Sequence, residues 1–204
     1  YLKIGGPEAV RDIKDALDLG VAGIIAPMIE SKFAAKKFIE AYKKIYQDAP
    51  INTSLNIETK IGLENIKEIV DYAAGSIDNI TIGRTDLSLS YFDPTIKPDS
   101  KFILDLIEQL SYKIQSSGLT LTVGGSLTAE SICQFKDRQE ALGNRIFSME
   151  TRKIIFSTSR MLGQENALNE ALRFEEIYLR FKLECEAWFS RLEQERLIKL
   201  KERL

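Results

Sequence analysis

Short runs of β-branched and apolar residues alternate along this chain with longer stretches whose apolar positions recur every three or four residues. Tyr1 to Ile4 reads as a first strand, ended by Gly5-Gly6-Pro7. Pro7 at a first helical position predicts a helix to about Leu19, with Val10, Ile13, Ala16 and Leu17 on one face and Gly20 as its stop. Gly23 to Ile29 is continuously apolar, the pattern of a strand buried on both faces. Ser31 caps a predicted helix over 31–46, and Ile51 to Glu58 is the next strand. The same alternation continues with a helix over Lys60 to Ala74, a strand over Asn79 to Gly83, and a helix over 99–117 closed by Gly118. Leu119 to Val123 follows as a strand, then a helix from Thr128 to about Arg138, and a last strand from Arg145 through Ser148.

Strands alternating with helices of this length predict βαβ units and a parallel sheet. Six strands are expected, two short of a (β/α)8 barrel, which takes about 250 residues and rarely fewer than about 200. An open doubly wound sheet competes with the barrel, and composition does not separate them. From Glu165 to Leu204 the chain is one long helical pattern without Gly or Pro. Its apolar residues, among them Phe174, Tyr178, Phe181, Cys185, Trp188 and Leu192, fall at three-and-four spacing, with charges filling the other face. Such a stripe packs on its own domain or on a sister subunit, and its aromatic content favours a homo-oligomer. The expected organisation is therefore a barrel-like unit over 1–160 and a helical extension over 161–204.

Composition then narrows the chemistry. The 204 residues carry 28 Lys and Arg against 30 Asp and Glu, a net charge of -2 that argues against a nucleic-acid partner. Nothing has the length and apolarity of a membrane span or the pattern of a signal peptide. Cys133 and Cys185 are too few for a disulfide framework and suggest a reducing, cytoplasmic setting. The chain contains no histidine, so Ser-His-Asp and Cys-His pairs and His-rich zinc sites cannot form within it. Carboxylates, Lys, Arg, backbone dipoles and a hard metal remain. The first residue is Tyr1, not Met, from which a preceding stretch is expected.

Ligands in parallel α/β folds bind at the carboxyl ends of strands. Here those ends read Lys3 with Gly5-Gly6, Met28 with Glu30, Asn56 with Glu58, Gly83-Arg84-Thr85-Asp86, Gly124-Gly125-Ser126, and Glu150-Thr151-Arg152-Lys153. Glu58 and Asp86 each follow an apolar strand, where a bare carboxylate is costly unless paired or metal-bound. On adjacent strands about 4.8 Å apart the two can converge on one ion. Oxygen-only ligation suits Mg²⁺ or Mn²⁺. Salt bridges to Arg84 or Lys3 at the sheet rim account for the same residues equally well. The 83–88 turn offers backbone N–H groups that hold a carboxylate or phosphate, although strand-end glycines also serve plain tight turns.

Four blocks carry a resemblance. Lys-Ile-Gly-Gly (3–6), Ala-Pro-Met-Ile-Glu-Ser (26–31), Asn-Ile-Glu-Thr (56–59) and Ile-Gly-Arg-Thr-Asp-Leu-Ser (82–88) resemble, in order and spacing, the HpcH/HpaI aldolase and citrate lyase β-subunit family. The resemblance spans roughly residues 1–160, and the ends Val-Gly-Gly (123–125) and Glu-Thr-Arg-Lys (150–153) suit a little-characterised branch of it. It implies a (β/α)8 barrel of the phosphoenolpyruvate/pyruvate type, lacking its first two βα units in this chain. It also implies Mg²⁺ or Mn²⁺ held by Glu58 and Asp86, and a pyruvate-like carboxylate resting on backbone N–H groups of Thr85 and Asp86. A C–C bond to an enolate is then broken or made.

Lys3 stands where many such aldolases have Arg, which loses a bidentate fork. Arg84 and Thr85 replace smaller residues, and the family's His-containing acid/base pair belongs to units absent here. The expected function is a metal-dependent carbon–carbon lyase acting on a 2-oxo acid or an acyl-CoA relative. Lys3, Arg84 and Arg152 act on the reacting groups or the rest of the substrate, with Asn56, Gly83, Thr85, Asp86, Gly124 and Gly125 binding it. A catalytically silent barrel retained as an assembly module is the rival expectation.

Overall fold

The computed structural model describes residues 1–142 and 144–203. Leu204, the last residue of the expected helical tail, lies outside the described residues. Seven strands form one sheet in chain order: β1 (Leu2–Lys3), β2 (Gly23–Ala26), β3 (Asn52–Ile57), β4 (Asn79–Gly83), β5 (Thr120–Gly124), β6 (Ile146–Glu150) and β7 (Ile155–Ser157). The first six pair in parallel, and β7 turns back antiparallel on β6. The doubly wound alternative fails on this order, because it requires a point where the strand sequence reverses. Right-handed crossovers between strands in unbroken order place every helix on the same face, and the sheet curls into a half-barrel.

The helices are α1 (Val10–Asp18), α2 (Lys32–Tyr46), α3 (Lys60–Glu64), α4 (Ile66–Ala73), α5 (Arg84–Leu89), α6 (Lys101–Ser116), α7 (Ala129–Asp137), α8 (Gln139–Leu142), α9 (Thr158–Gly163) and α10 (Ala167–Lys201). None of the described helices is long and apolar enough to cross a membrane. Ser31 caps α2 as expected, its hydroxyl accepting from the Ala34 N–H at 3.1 Å. Besides β7, a seventh strand where six are expected, three elements depart from the sequence pattern. Pro7 sits in a turn, and α1 begins at Val10, where Asp12 accepts from the Gly5 N–H at 2.6 Å and ties the strand end to the helix. The helix expected over 60–74 breaks at Asn65, whose side-chain amide donates to the Glu30 carbonyl at 2.8 Å. The turn expected over 83–88 is the short helix α5, starting directly after β4.

Period-two alternation splits the sheet into two unlike faces. Leu55, Ile57, Ile80, Ile82, Leu121, Val123 and Met149 are buried in one core with Phe38, Ile69, Val70, Ile103 and Ile107. The opposite face carries a polar row in register, Asn56 beside Thr81, Thr81 beside Thr122, and Thr122 beside Ser148. These buried groups satisfy one another: Thr122 and Ser148 hydroxyls lie 2.6 Å apart, and Ser54 and Thr81 hydroxyls 3.1 Å apart. Asn79 donates to Ser54 at 2.8 Å and accepts from the Thr122 hydroxyl at 3.0 Å. A polar concave face beneath open strand ends is a scaffold for a site, since hydroxyl networks fix strand registers while keeping the interior hydrophilic.

Candidate active site

The polar face ends, at the carboxyl side of the sheet, in a cluster of Lys3, Asn56, Glu58, Gly83, Gly124 and Glu150. Glu58 continues the face one step past β3 and is only 4% exposed. Its Oε1 accepts from the Met28 N–H at 3.0 Å and its Oε2 from the Asn56 amide at 3.3 Å. Met28 adopts a left-handed conformation (φ 52°) to present that N–H, a backbone strain of the sort that accumulates at functional sites. Among the described residues, the one cation paired with Glu58 is Lys3, whose Nζ lies 3.8 Å from Oε2 on a half-exposed side chain. A buried carboxylate with a single distant, wet ammonium is under-paired. Beside it, the Asn56 Oδ1 is buried without a hydrogen-bond partner. A buried carboxylate and an unpartnered amide oxygen two residues apart on one face are oxygen donors of the kind a hard divalent cation takes.

Glycine keeps this volume open. A methyl group at Gly83 would lie 2.7 Å from Glu58 Oε2, and one at Gly124 would lie 2.6 Å from Glu150 Oε1. Since Gly83 and Gly124 are register partners, two carboxylates flank a paired glycine floor. Burial pushes the Glu150 carboxyl pKa up from its ordinary value; Lys3 draws it partly back, and the charge of Glu58 raises it further. Both neighbours therefore act on the same volume as Glu150. Next to it, Gly125 (φ 90°) packs against the start of α5, where a methyl group would sit 2.6 Å from the Thr85 nitrogen and 2.8 Å from the Arg84 nitrogen. Only glycine allows this approach of one backbone to another, which sets the end of β5 directly against the first turn of α5. The Thr85 hydroxyl meets that of Ser126 at 2.9 Å across the same contact.

The other residues singled out in the sequence stand elsewhere. Asp86 is exposed in the first turn of α5. Arg84 is fully buried and directed into the loop framework: its Nε donates to the Gly124 carbonyl at 3.1 Å, one terminal nitrogen to the Gly125 carbonyl at 2.7 Å, and the other to Pro98 at 3.3 Å and to Asp99. Its guanidinium also lies 5.4 Å from the Phe135 ring. Burial lowers its pKa from the ordinary value, opposed by Asp99. Arg152 is exposed in the 151–154 turn, where the Thr151 N–H donates to the Ile154 carbonyl at 2.9 Å and swings the chain into β7. Among the described residues, no three or more of His, Cys, Asp and Glu gather as for a metal ion. Sequence reasoning placed Glu150 at a strand end but gave it no role, although Ser148 and Glu150 repeat the spacing of Asn56 and Glu58 and so share the polar face.

Residues 5–98 match the family model of HpcH/HpaI aldolase/citrate lyase. Hydroxypyruvate/pyruvate aldolase from Roseobacter denitrificans is 28% identical over 145 residues, which cover 57% of this chain and 56% of that protein. The chain thus spans about half the length of the curated relative it matches. Among solved structures, an HpcH/HpaI aldolase/citrate lyase family protein from Burkholderia cenocepacia superposes with a TM-score of 0.57 at 16% identity, covering 82% of this chain and 71% of that one. A citrate lyase from Burkholderia xenovorans gives a TM-score of 0.59 at 14% identity, covering 73% and 52% respectively. At these identities the two structures speak for the fold alone.

Proposed function

From a chain whose residues 5–98 belong to the HpcH/HpaI aldolase/citrate lyase family, we propose a divalent-metal-dependent carbon–carbon lyase that breaks or makes a bond to the enolate of a 2-oxo acid. The name of the curated relative, a hydroxypyruvate/pyruvate aldolase, supports a pyruvate-type acid. The observation that carries the proposal is Glu58, a buried carboxylate whose nearest cation is 3.8 Å away and whose neighbour Asn56 keeps an unpartnered oxygen. Glu58, with Asp86 from the start of α5, would hold Mg²⁺ or Mn²⁺. When bound, that ion supplies Lewis-acid stabilisation of negative charge on the substrate oxygens.

The chain's own residues do the rest. Backbone N–H groups of Thr85 and Asp86, in the first turn of α5, would take a substrate carboxylate oxygen. Lys3, half exposed and aimed at Glu58, adds positive charge beside the developing enolate. Glu150, whose carboxyl pKa is raised by burial, stands on the far side of the glycine floor as the group placed to exchange a proton with the substrate. The half-barrel is, in this reading, part of a (β/α)8 barrel of the pyruvate type.

Mn²⁺ titration of the full chain and of Glu58→Gln and Asp86→Asn variants tests the metal. Both variants lose affinity on this account, and unchanged affinity in both overturns it. Deuterium exchange into pyruvate, followed by NMR with and without Mn²⁺, tests the chemistry. Mn²⁺ binding with no exchange leaves a barrel that binds metal without enolising pyruvate, and the lyase reading for pyruvate falls.

A further inference from the structure

The long helix α10 runs 35 residues, about 50 Å at 1.5 Å per residue. Only Ala167, Leu168 and Ala171 of it are buried. Beyond Tyr178, which Lys153 covers with its ammonium 4.3 Å from the ring centroid, the apolar stripe stands uncovered: Phe181 is 64% exposed, Trp188 51% and Leu192 41%. Ala171, Phe174, Tyr178, Phe181, Cys185, Trp188 and Leu192 alternate at spacings of three and four without interruption, the a and d positions of a heptad repeat. An apolar seam of this kind is matched by a second helix, and the flanking charges identify which.

We propose that α10 pairs with α10 of a second copy of this chain as an antiparallel two-stranded coiled coil, centred between Glu186 and Ala187. In this register Cys185 faces Trp188 of the second copy, and Phe181 faces Leu192, each layer occurring twice by symmetry. Every flanking position is complementary. Glu184 meets Arg191, Glu175 meets Arg196, Ile177 meets Ile198, and the Lys182 stem lies along Phe189. One layer further out, Glu195 of the second copy arrives at Tyr178, where Lys153 already stands over the ring.

The alternatives set like charges together. Sliding the pair by one heptad puts Arg191 against Arg191 in one direction and Glu184 against Glu184 in the other. A parallel in-register pair stacks Glu195 on Glu195 and Lys199 on Lys199 in the seam, and brings Arg191 beside Arg196. Like charges in such positions specify partner and orientation, so one arrangement is selected. The pair also separates the two half-barrels to opposite ends of the coil.

Sedimentation equilibrium of the full chain tests the pairing. The parent self-associates, E184R and R191E each weaken the association by at least about tenfold, and the double variant E184R/R191E restores it. Glu184 and Arg191 are two turns apart on one helix and do not meet within it, so rescue reports a contact between copies. A parent that stays monomeric up to about 1 mM overturns the proposal. So do single variants without effect, or a double variant without rescue. Orientation is read from oxidation in a Cys133→Ser background. W188C gives a covalent dimer that disappears when Cys185→Ser is added, whereas a crosslink that survives the second change marks a parallel pair and refutes the antiparallel one.

Discussion

Replacing Arg84 by Met measures what a fully buried guanidinium does in this fold. Its donors reach the carbonyls of Pro98, Gly124 and Gly125 and the carboxylate of Asp99. One side chain therefore joins the end of β5 to the segment that leads into α6. Asp99 passes the connection on, accepting from the Ser131 hydroxyl of α7 at 2.8 Å. Methionine fills similar space but leaves Asp99 without its cation and three carbonyls without a donor. Breaking one side of a buried ion pair costs about 3–5 kcal/mol, and each stranded buried acceptor adds about 1–3 kcal/mol unless water reaches it. Asp99 is 22% exposed and the Pro98 and Gly125 carbonyls are only partly buried, so water takes over there; the lower end of the ion-pair cost and one stranded carbonyl, that of Gly124, remain, about 4 kcal/mol. For a domain of this size that lowers the melting temperature by about 10 °C. Urea denaturation followed by circular dichroism measures it. Arg84→Lys keeps the charge but not the fork, and recovers less than half of the loss. A variant within about 1 kcal/mol of the parent refutes the clamp, and, if it also loses substrate affinity, assigns Arg84 to anion binding instead.

Gly125→Ala forces a methyl group to 2.6 Å from the Thr85 nitrogen and 2.8 Å from the Arg84 nitrogen, at a φ of 90°. It costs about 1–2 kcal/mol in chemical denaturation and, by pushing the start of α5 away, lowers exchange into pyruvate; a variant as stable as the parent would refute the close packing. Because burial raises the Glu150 pKa on folding, the folded chain loses stability as pH climbs from the ordinary glutamate value, about 4.3, to the raised one. Glu150→Gln, measured in chelator, is thus more stable than the parent at pH 7 and equal to it near pH 4; parallel pH profiles would contradict this. The Thr128 hydroxyl accepts from the Ser131 N–H at 3.1 Å, and the Ser131 hydroxyl from the Thr128 N–H at 3.0 Å, closing a capping box on α7. Thr128→Ala costs about 1 kcal/mol, and Ser131→Ala costs more because it also strips Asp99 of a donor. Equal losses would separate the cap from the Arg84 clamp.

The alternation of strands and helices was legible because it is local: continuous apolar runs such as Gly23–Ala26 and capping hydroxyls such as Ser31 announce themselves within a few residues. Strand β7 was not, since Ile155, Phe156 and Ser157 make no periodic pattern and owe their conformation to pairing with β6. The break at Asn65 depends on a carbonyl of Glu30, and the burial of Arg84 on carbonyls of Gly124 and Gly125. Neither partner is near in sequence. An arginine in a Gly-Arg-Thr-Asp segment reads as a surface cation, because isolated charges are seldom buried. The strand-end cluster could be read in outline from which strands end in polar residues. Its membership depended on side-chain parity and on the 151–154 turn, which carries Glu150 inward and Arg152 out.

The unbroken strand order also governs how the chain acquires its shape. Every parallel strand of the sheet pairs with its immediate successor, so no pairing reaches beyond the next βα unit. Each such pairing still closes a whole crossover and is slower than a hairpin, but a chain emerging from its N-terminal end can add one βα unit at a time to a growing edge. Antiparallel β7 is the exception that comes last, a short hairpin return that ends parallel growth at β6 and fixes the strand bearing Glu150.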